Sequence, residues 1–137
     1  MDFFGTDKGE PSYADSKLWS SGEWRRHLLR GVEQAFSSFL PVVNRHPNIE
    51  AALSELPRAG RRFALDVYEA AAPLAFAASA LPQTSCQLAV GPERGWSARE
   101  RDLLRESEFE FRHLGPRVLR EETACVVALG ILSSGYW

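Results

Sequence analysis

Two turns built on the same plan constrain this chain more than any other feature in it. Residues 88–90, Leu-Ala-Val, read as a buried strand, and GPERGW at 91–96 follows directly. Ser97 and Glu100 then have the spacing of a capping box, in which a Ser hydroxyl and a Glu carboxylate each bond the other's backbone N–H at a helix start. Residues 110–113 read as a second strand, and Leu114-Gly115-Pro116 turns the chain again. Arg117 and Arg120 follow, with Glu121 and Glu122 at the head of another helix. Glycine takes unusual φ cheaply, proline fixes φ and lacks a donor, and carboxylates suit a helix N-terminus. Successive strand–turn–helix units imply an α/β protein with a mostly parallel central sheet flanked by helices. Loops at the carboxyl ends of such strands form the ligand crevice.

The rest of the chain fits one globular body. Its 137 residues, 45% hydrophobic and 25% charged, are ordinary for a soluble domain. Residues 1–16 mix Gly, Asp, Ser and Pro without periodicity and are expected to be a flexible tail or linker, leaving 17–137 as the folded domain. They carry Asp2, Asp7, Glu10 and Asp15 against Lys8, a net −3, so the remainder is at +1 within a total of −2. Fourteen of the sixteen basic residues are arginine, the side chain suited to forked phosphate contacts, although a GC-rich genome gives the same bias.

Helical spacing predicts a helix over 22–40, capped by Ser20, with Trp24, Leu28, Val32, Ala35, Phe36 and Phe39 as its buried stripe. Arg25, Arg26 and Arg30 lie off that stripe, either as a solvated face or as a basic binding patch. A short helix over 47–56, with Pro47 in its first turn, and a strand over 63–68 follow. Residues 70–86 read as a loop with a helical turn at 74–80. A helix at 98–106 and one at 121–134 complete the pattern.

No basic start followed by an apolar run marks a secretory signal, and the apolar run at 124–132 is shorter than the ~20 residues a bilayer requires. No membrane partner is expected. Cys86 and Cys125 make no CxxC and have no His at ligand spacing, so no metal is expected and both read as reduced packing thiols of a cytoplasmic protein. The last helix is apolar nearly all round, which calls for cover on every side and hence for a partner subunit.

GPERGW at 91–96 together with LGPRVLREETA at 114–124 resembles the RsmE family of ribosomal RNA methyltransferases, of the SPOUT class. Its pattern is Gly-Pro-Glu-Gly-Gly-aromatic upstream of Leu-Gly-x-Arg-Ile-Leu-Arg-x-Glu-Thr-Ala. Residues 29–41, with Glu33-Gln34-Ala35 and Leu40-Pro41, add to a likeness running over 17–132. Chains generally avoid knots, so periodicity alone points to an ordinary doubly wound sheet. The resemblance instead implies a SPOUT-type trefoil-knot fold, a homodimer built on the last helix and the 22–40 helix, and S-adenosyl-L-methionine as cofactor. It also implies small-subunit ribosomal RNA as partner, methylated at N3 of a uridine. Two departures stand out. Arg94 replaces the first Gly of the family's Gly-Gly pair, and 137 residues leave no room for the family's N-terminal PUA-like RNA-binding domain, whose linker would arrive over 1–16.

Carried over residue by residue, the resemblance implies cofactor contacts from Val67, Gly91, Pro92, Glu93, Gly95, Leu114, Gly115, Arg117 and Leu119. The strand end at Asp66, Val67 and Tyr68 becomes the first wall of the pocket, where periodicity alone makes Asp66 a solvent-facing carboxylate. Uridine N3 must lose a proton, so charge develops on the uracil carbonyls and a pre-placed cation stabilises it. Arg120 is the first candidate and Arg117 the second, with Glu93 as base or orienter. Glu122 suits that role or a plain helix-start carboxylate. RNA contacts are expected from Arg94, Arg120, Arg25 and Arg26, with Arg94 turned outward and tethered by Glu93. A catalytically silent knot domain that dimerises and binds RNA or protein fits the same residues.

Overall fold

Parallel strand pairing organises each of the two compact units of the chain. The structure, a computed structural model, describes residues 1–78 and 85–134. The first unit joins Met1–Gly5 to Gly9–Ser54, and the second joins Thr6–Lys8 to Glu55–Trp137.

In the first unit β1 (Asp2–Phe4) precedes a single 3-10 turn at Pro11–Tyr13, α1 (Lys17–Ser20) and α2 (Glu23–Gln34). Then come β2 (Asn44–His46) and α3 (Ile49–Glu55). β1 pairs in parallel with β2, Phe3 opposite Arg45. Residues 2–4 are therefore sheet and not loose tail, and the strand at 44–46 was not legible at all. Trp19 explains much of this order. Its ring meets Phe3 edge-on at 5.1 Å and Trp24 at 6.4 Å, and the Arg45 guanidinium lies 4.7 Å above it. Burial alone would raise the Asp2 carboxyl, but hydrogen bonds with Asn44 and His46 hold it below the usual range.

α2 stops at Gln34, six residues before the expected end. Phe36 takes a left-handed conformation (φ 50°), the Ser37 N–H reaches back to the Val32 carbonyl and the Phe36 N–H to that of Glu33. This is a Schellman closure, and it leaves Phe36 99% exposed. Trp24, Leu28 and Val32 are half-buried, whereas Ala35, Phe36 and Phe39 are exposed, so only the first part of the expected stripe is covered. Ser20 caps nothing here: α1 is capped by Ser16, and α2 starts from a left-handed Gly22. For α3 the cap is Asn48, whose side chain accepts the Ala51 N–H at 2.9 Å, and Pro47 lies outside the helix.

The second unit contains β3 (Arg61–Leu65), α4 (Leu74–Ala78), β4 (Cys86–Ala89), α5 (Ala98–Glu106), β5 (Glu110–Arg112) and α6 (Glu121–Ser133). Its sheet has the order β4-β3-β5, parallel throughout, with Phe63 opposite both Leu88 and Glu110. The expected α/β architecture, a parallel sheet flanked by helices, is what the chain adopts. β3 is central, and its Phe63 and Ala64 are fully buried, as an apolar run in a doubly covered strand requires. Phe63, Leu74, Ala77, Ala128 and Leu132 form one core cluster, with Leu65, Cys86, Leu88, Leu114 and Ile131 packed against it. α5 has the expected bounds, and both bonds of its capping box are present. Of the helical turn expected at 74–80, residues 79–80 lie outside the described residues.

α6 buries Ala124, Ala128 and Leu132 but leaves Val126 72% and Leu129 61% exposed. No helix among the described residues is long and apolar enough to cross a membrane.

Candidate functional site

The loops leaving the carboxyl ends of β3, β4 and β5 converge on one cleft. It encloses about 170 Å³, an order of magnitude beyond the ~10–15 Å³ a single water needs. Leu65, Asp66, Val67 and Tyr68 line it from the first loop, residues 90–96 from the second, and His113, Leu114, Gly115, Arg117, Val118 and Leu119 from the third. Glu121 and Ala124 of α6 complete the wall.

Trp96 fastens two of these loops together. It is fully buried, and its indole N–H donates to the Leu65 carbonyl at 3.0 Å. A Cβ on Gly91 would stand 2.9 Å from the same indole, so a glycine is needed there for packing. The third tie comes from Glu121, whose carboxylate accepts the Glu93 N–H at 2.8 Å. The Gly95 N–H returns to the Pro92 carbonyl at 2.7 Å, closing the turn inside which Arg94 sits. After β5, the His113 Nδ1 accepts the Gly115 N–H at 3.1 Å. Gly95 and Gly115 hold left-handed conformations (φ 68° and 132°), and nothing lies within 4 Å of a Cβ built on either. The main chain of both turns is thus open to approach.

Asp66 is not the solvent-facing carboxylate that periodicity suggested. It is buried, its Oδ1 accepts the N–H groups of Tyr68 and Glu69, and its Oδ2 accepts Arg101 Nε at 2.7 Å. It shapes the first loop and ties it to α5. A similar anchor holds the α5 start: Glu100, fully buried, accepts the N–H groups of Ser97 and Asp7. Asp7 in turn takes the Ser97 hydroxyl and pairs with Arg99 at 2.5 Å, and Lys8 donates to the Trp96 carbonyl. The Arg99 and Ser97 bonds hold the Asp7 carboxyl below its usual range.

All nine residues expected to contact a cofactor, Val67, Gly91, Pro92, Glu93, Gly95, Leu114, Gly115, Arg117 and Leu119, line this cleft. Arg94 lines it as well, exposed, with no ion pair to Glu93 among the described residues. Arg120 stands exposed at the N-cap position of α6, outside the lining. Arg25 and Arg26 are exposed on α2 in the first unit, Arg26 near Glu23 at 3.4 Å. Burial pushes both the Cys86 and Cys125 thiols up, and neither lines the cleft. No group of three or more His, Cys, Asp or Glu among the described residues could hold a metal. The roles of Trp96, Glu121 and His113 were missed. Only Trp96 had a sequence signal, an aromatic ending a glycine turn.

The family model described as an RNA methyltransferase domain matches residues 2–133, across both units. Ribosomal RNA small subunit methyltransferase E of Treponema pallidum (strain Nichols) is 32% identical over 133 residues, 93% of this chain and 49% of that protein. Ribosomal RNA small subunit methyltransferase E 1 of Borreliella burgdorferi is 25% identical over 132 residues, 96% of this chain and 55% of its own length. The chain therefore spans about half the length of these relatives. Among solved structures, a putative methyltransferase from Legionella pneumophila, in complex with the bound cofactor SAM, superposes with a TM-score of 0.79 at 23% identity, over 96% of this chain and 53% of that one. A ribosomal RNA small subunit methyltransferase E from Neisseria gonorrhoeae, bound to S-adenosyl methionine, gives 0.72 at 23% identity, over 98% and 53%.

Proposed function

Because the chain belongs to the RNA methyltransferase domain family, we propose that its cleft takes S-adenosylmethionine and that the protein methylates small-subunit ribosomal RNA at N3 of a uridine. One observation carries the reading: eight residues named from two sequence motifs, with Val67 from a third segment, line a single cleft. The lining suits the cofactor. At Gly95 and Gly115 no side chain keeps an adenine or a ribose from the main chain, and Gly91 lets Trp96 close the floor. Bound there, S-adenosylmethionine supplies an electrophilic methyl group.

Arg117, exposed in the lining, is the cation best placed to meet charge growing on the uracil carbonyls. Arg120, outside the lining, follows it in this role. Glu93 takes the N3 proton on its carboxylate, while its own N–H is held by Glu121. Holding methyl and base in line supplies much of the rate, as proximity alone is worth roughly 7–11 kcal/mol.

The same proposal includes the trefoil knot, a cytoplasmic location, and a homodimer that covers Val126 and Leu129 of α6. Arg94, Arg120, Arg25 and Arg26 are its RNA contacts. Calorimetry with S-adenosylmethionine and methyl transfer to small-subunit RNA test the reading, which fails if neither is detected. Light scattering tests the dimer, and a monomer at micromolar concentration refutes it. A silent, dimeric RNA- or protein-binding domain is favoured by one feature, Arg94 in the cleft lining. That alternative wins if the cofactor does not bind while RNA does.

A further inference from the structure

We propose that Tyr68 is the platform on which the target base stacks once it has left its own RNA stack. The inference rests on the methyltransferase reading and names how that cleft holds its substrate. Two large aromatic rings line the cleft. Trp96 offers no face to a ligand, because it is fully buried against Gly91 with its N–H on the Leu65 carbonyl. Tyr68 is the opposite case, 75% exposed on the same lining. Of the exposed large apolar side chains, Tyr68 and Val118 line the cleft, and of these Tyr68 has a ring for a base to cover.

Its position is held while its ring is bare. The Tyr68 N–H donates to Asp66 Oδ1 at 2.7 Å, and Asp66 is anchored by Arg101. A ring presented from a held backbone loses little freedom when a base covers it. Arg94, exposed in the same lining, would meet a phosphate flanking that base, and Arg117 its carbonyls. Enzymes acting on a base unstack it first, and single-stranded RNA is commonly held by stacking on aromatic rings. The adenine of the methyl donor is the other possible occupant. The open main chain of the two glycine turns suits it better than a ring three-quarters in solvent.

The test uses fluorescence anisotropy of a labelled single-stranded oligouridylate with the full chain, alongside calorimetry with S-adenosylmethionine. Tyr68→Leu is expected to weaken oligouridylate binding about fivefold or more without changing its salt slope. Tyr68→Phe should bind like the parent, and both variants should keep cofactor affinity within about twofold of the parent. Equal oligouridylate affinity for Tyr68→Leu and the parent overturns the inference, as does a Tyr68→Phe variant as weak as Tyr68→Leu. A cofactor affinity that falls with Tyr68→Leu assigns the ring to the methyl-donor wall and also overturns it. If the parent binds S-adenosylmethionine but no oligouridylate, the stacking platform fails while the methyltransferase reading stands. If it binds neither, that reading fails first.

Discussion

The arginines around the sheet and those around the cleft are the same residue in two conditions. Around the sheet five guanidinium groups have partners. Arg61 bonds Glu110 at 2.8 Å and lies over Phe63, and Arg62 donates to the Ser107 and Pro57 carbonyls beside Phe109. Arg101 joins Asp66 and Glu69, Arg105 joins Glu69 and Asp102 above Phe111, and Arg112 joins Glu110. At the cleft, the guanidinium groups of Arg94 and Arg117, and that of Arg120 outside its lining, have no hydrogen-bond or ion-pair partner among the described residues and are all exposed. A partnered guanidinium already has its donors engaged, by a carboxylate or, for Arg62, by carbonyls. An unpaired, solvated one costs the fold almost nothing and stays available to an anion. The difference sets the two groups apart, although Arg25, Arg30 and Arg58 are exposed away from the cleft as well.

The largest test of this contrast is Asp66→Ala. It leaves Arg101 with Glu69 alone and two backbone N–H groups without their acceptor, and the loss of stability should be about 2–3 kcal/mol, since each buried polar group left unsatisfied typically costs ~1–3 kcal/mol. Urea denaturation measures it. A loss within about 0.5 kcal/mol, the range of ordinary surface changes, would erase the distinction between the two groups.

Gly115→Val should come next. The left-handed φ of 132° is strained for a β-branched residue, for roughly 1–3 kcal/mol of stability, although space for a Cβ is open. On the proposed reading a ligand reaches the main chain through that space, so S-adenosylmethionine binding should be lost by calorimetry. Parent-like affinity would show that the pocket lies elsewhere.

Arg117→Ala should leave stability within about 0.5 kcal/mol while weakening RNA and lowering its salt slope by about one. A stability loss like that of Asp66→Ala would move Arg117 into the scaffold group. Arg94→Gly should do less: cofactor affinity nearly unchanged and a slightly flatter salt dependence of RNA binding. A tenfold gain in cofactor affinity, about 1.4 kcal/mol, would mean that Arg94 obstructs the cleft and would favour the silent-domain reading.

The smallest effect is expected at Asp7, whose carboxyl Arg99 and Ser97 hold below the usual range. A depressed folded-state pKa gives a contribution that is complete above the ordinary Asp value, about 3.9, and is lost as pH falls through the lower folded value. Asp7→Asn should therefore narrow its stability difference from the parent as pH drops below about 4. A difference constant from pH 7 to pH 2 would rule out a charged role for Asp7.

The sequence by itself determined the local chemistry: both Gly-Pro turns, the Ser97–Glu100 box and the bounds of α5, and the α/β class, while the strand expected at 63–68 runs over Arg61–Leu65. Each depends on neighbours within a few residues, so composition and spacing decide it. Even the motif residues that meet in the cleft were legible, because strand ends in a parallel sheet point their loops to one edge. The tertiary structure alone decided what crosses long stretches of chain. Glu121 reaches the Glu93 N–H across 28 positions, Trp96 the Leu65 carbonyl across 31, Arg101 the Asp66 carboxylate across 35, and Glu100 the Asp7 N–H across 93. It also ended α2 at a left-handed Phe36 and turned residues 2–4 into a strand beside Asn44–His46. A side chain's partner is set by which elements packing brings within hydrogen-bond reach. Spacing along the chain carries no record of that, so which arginines stay unpaired could be read only from the fold.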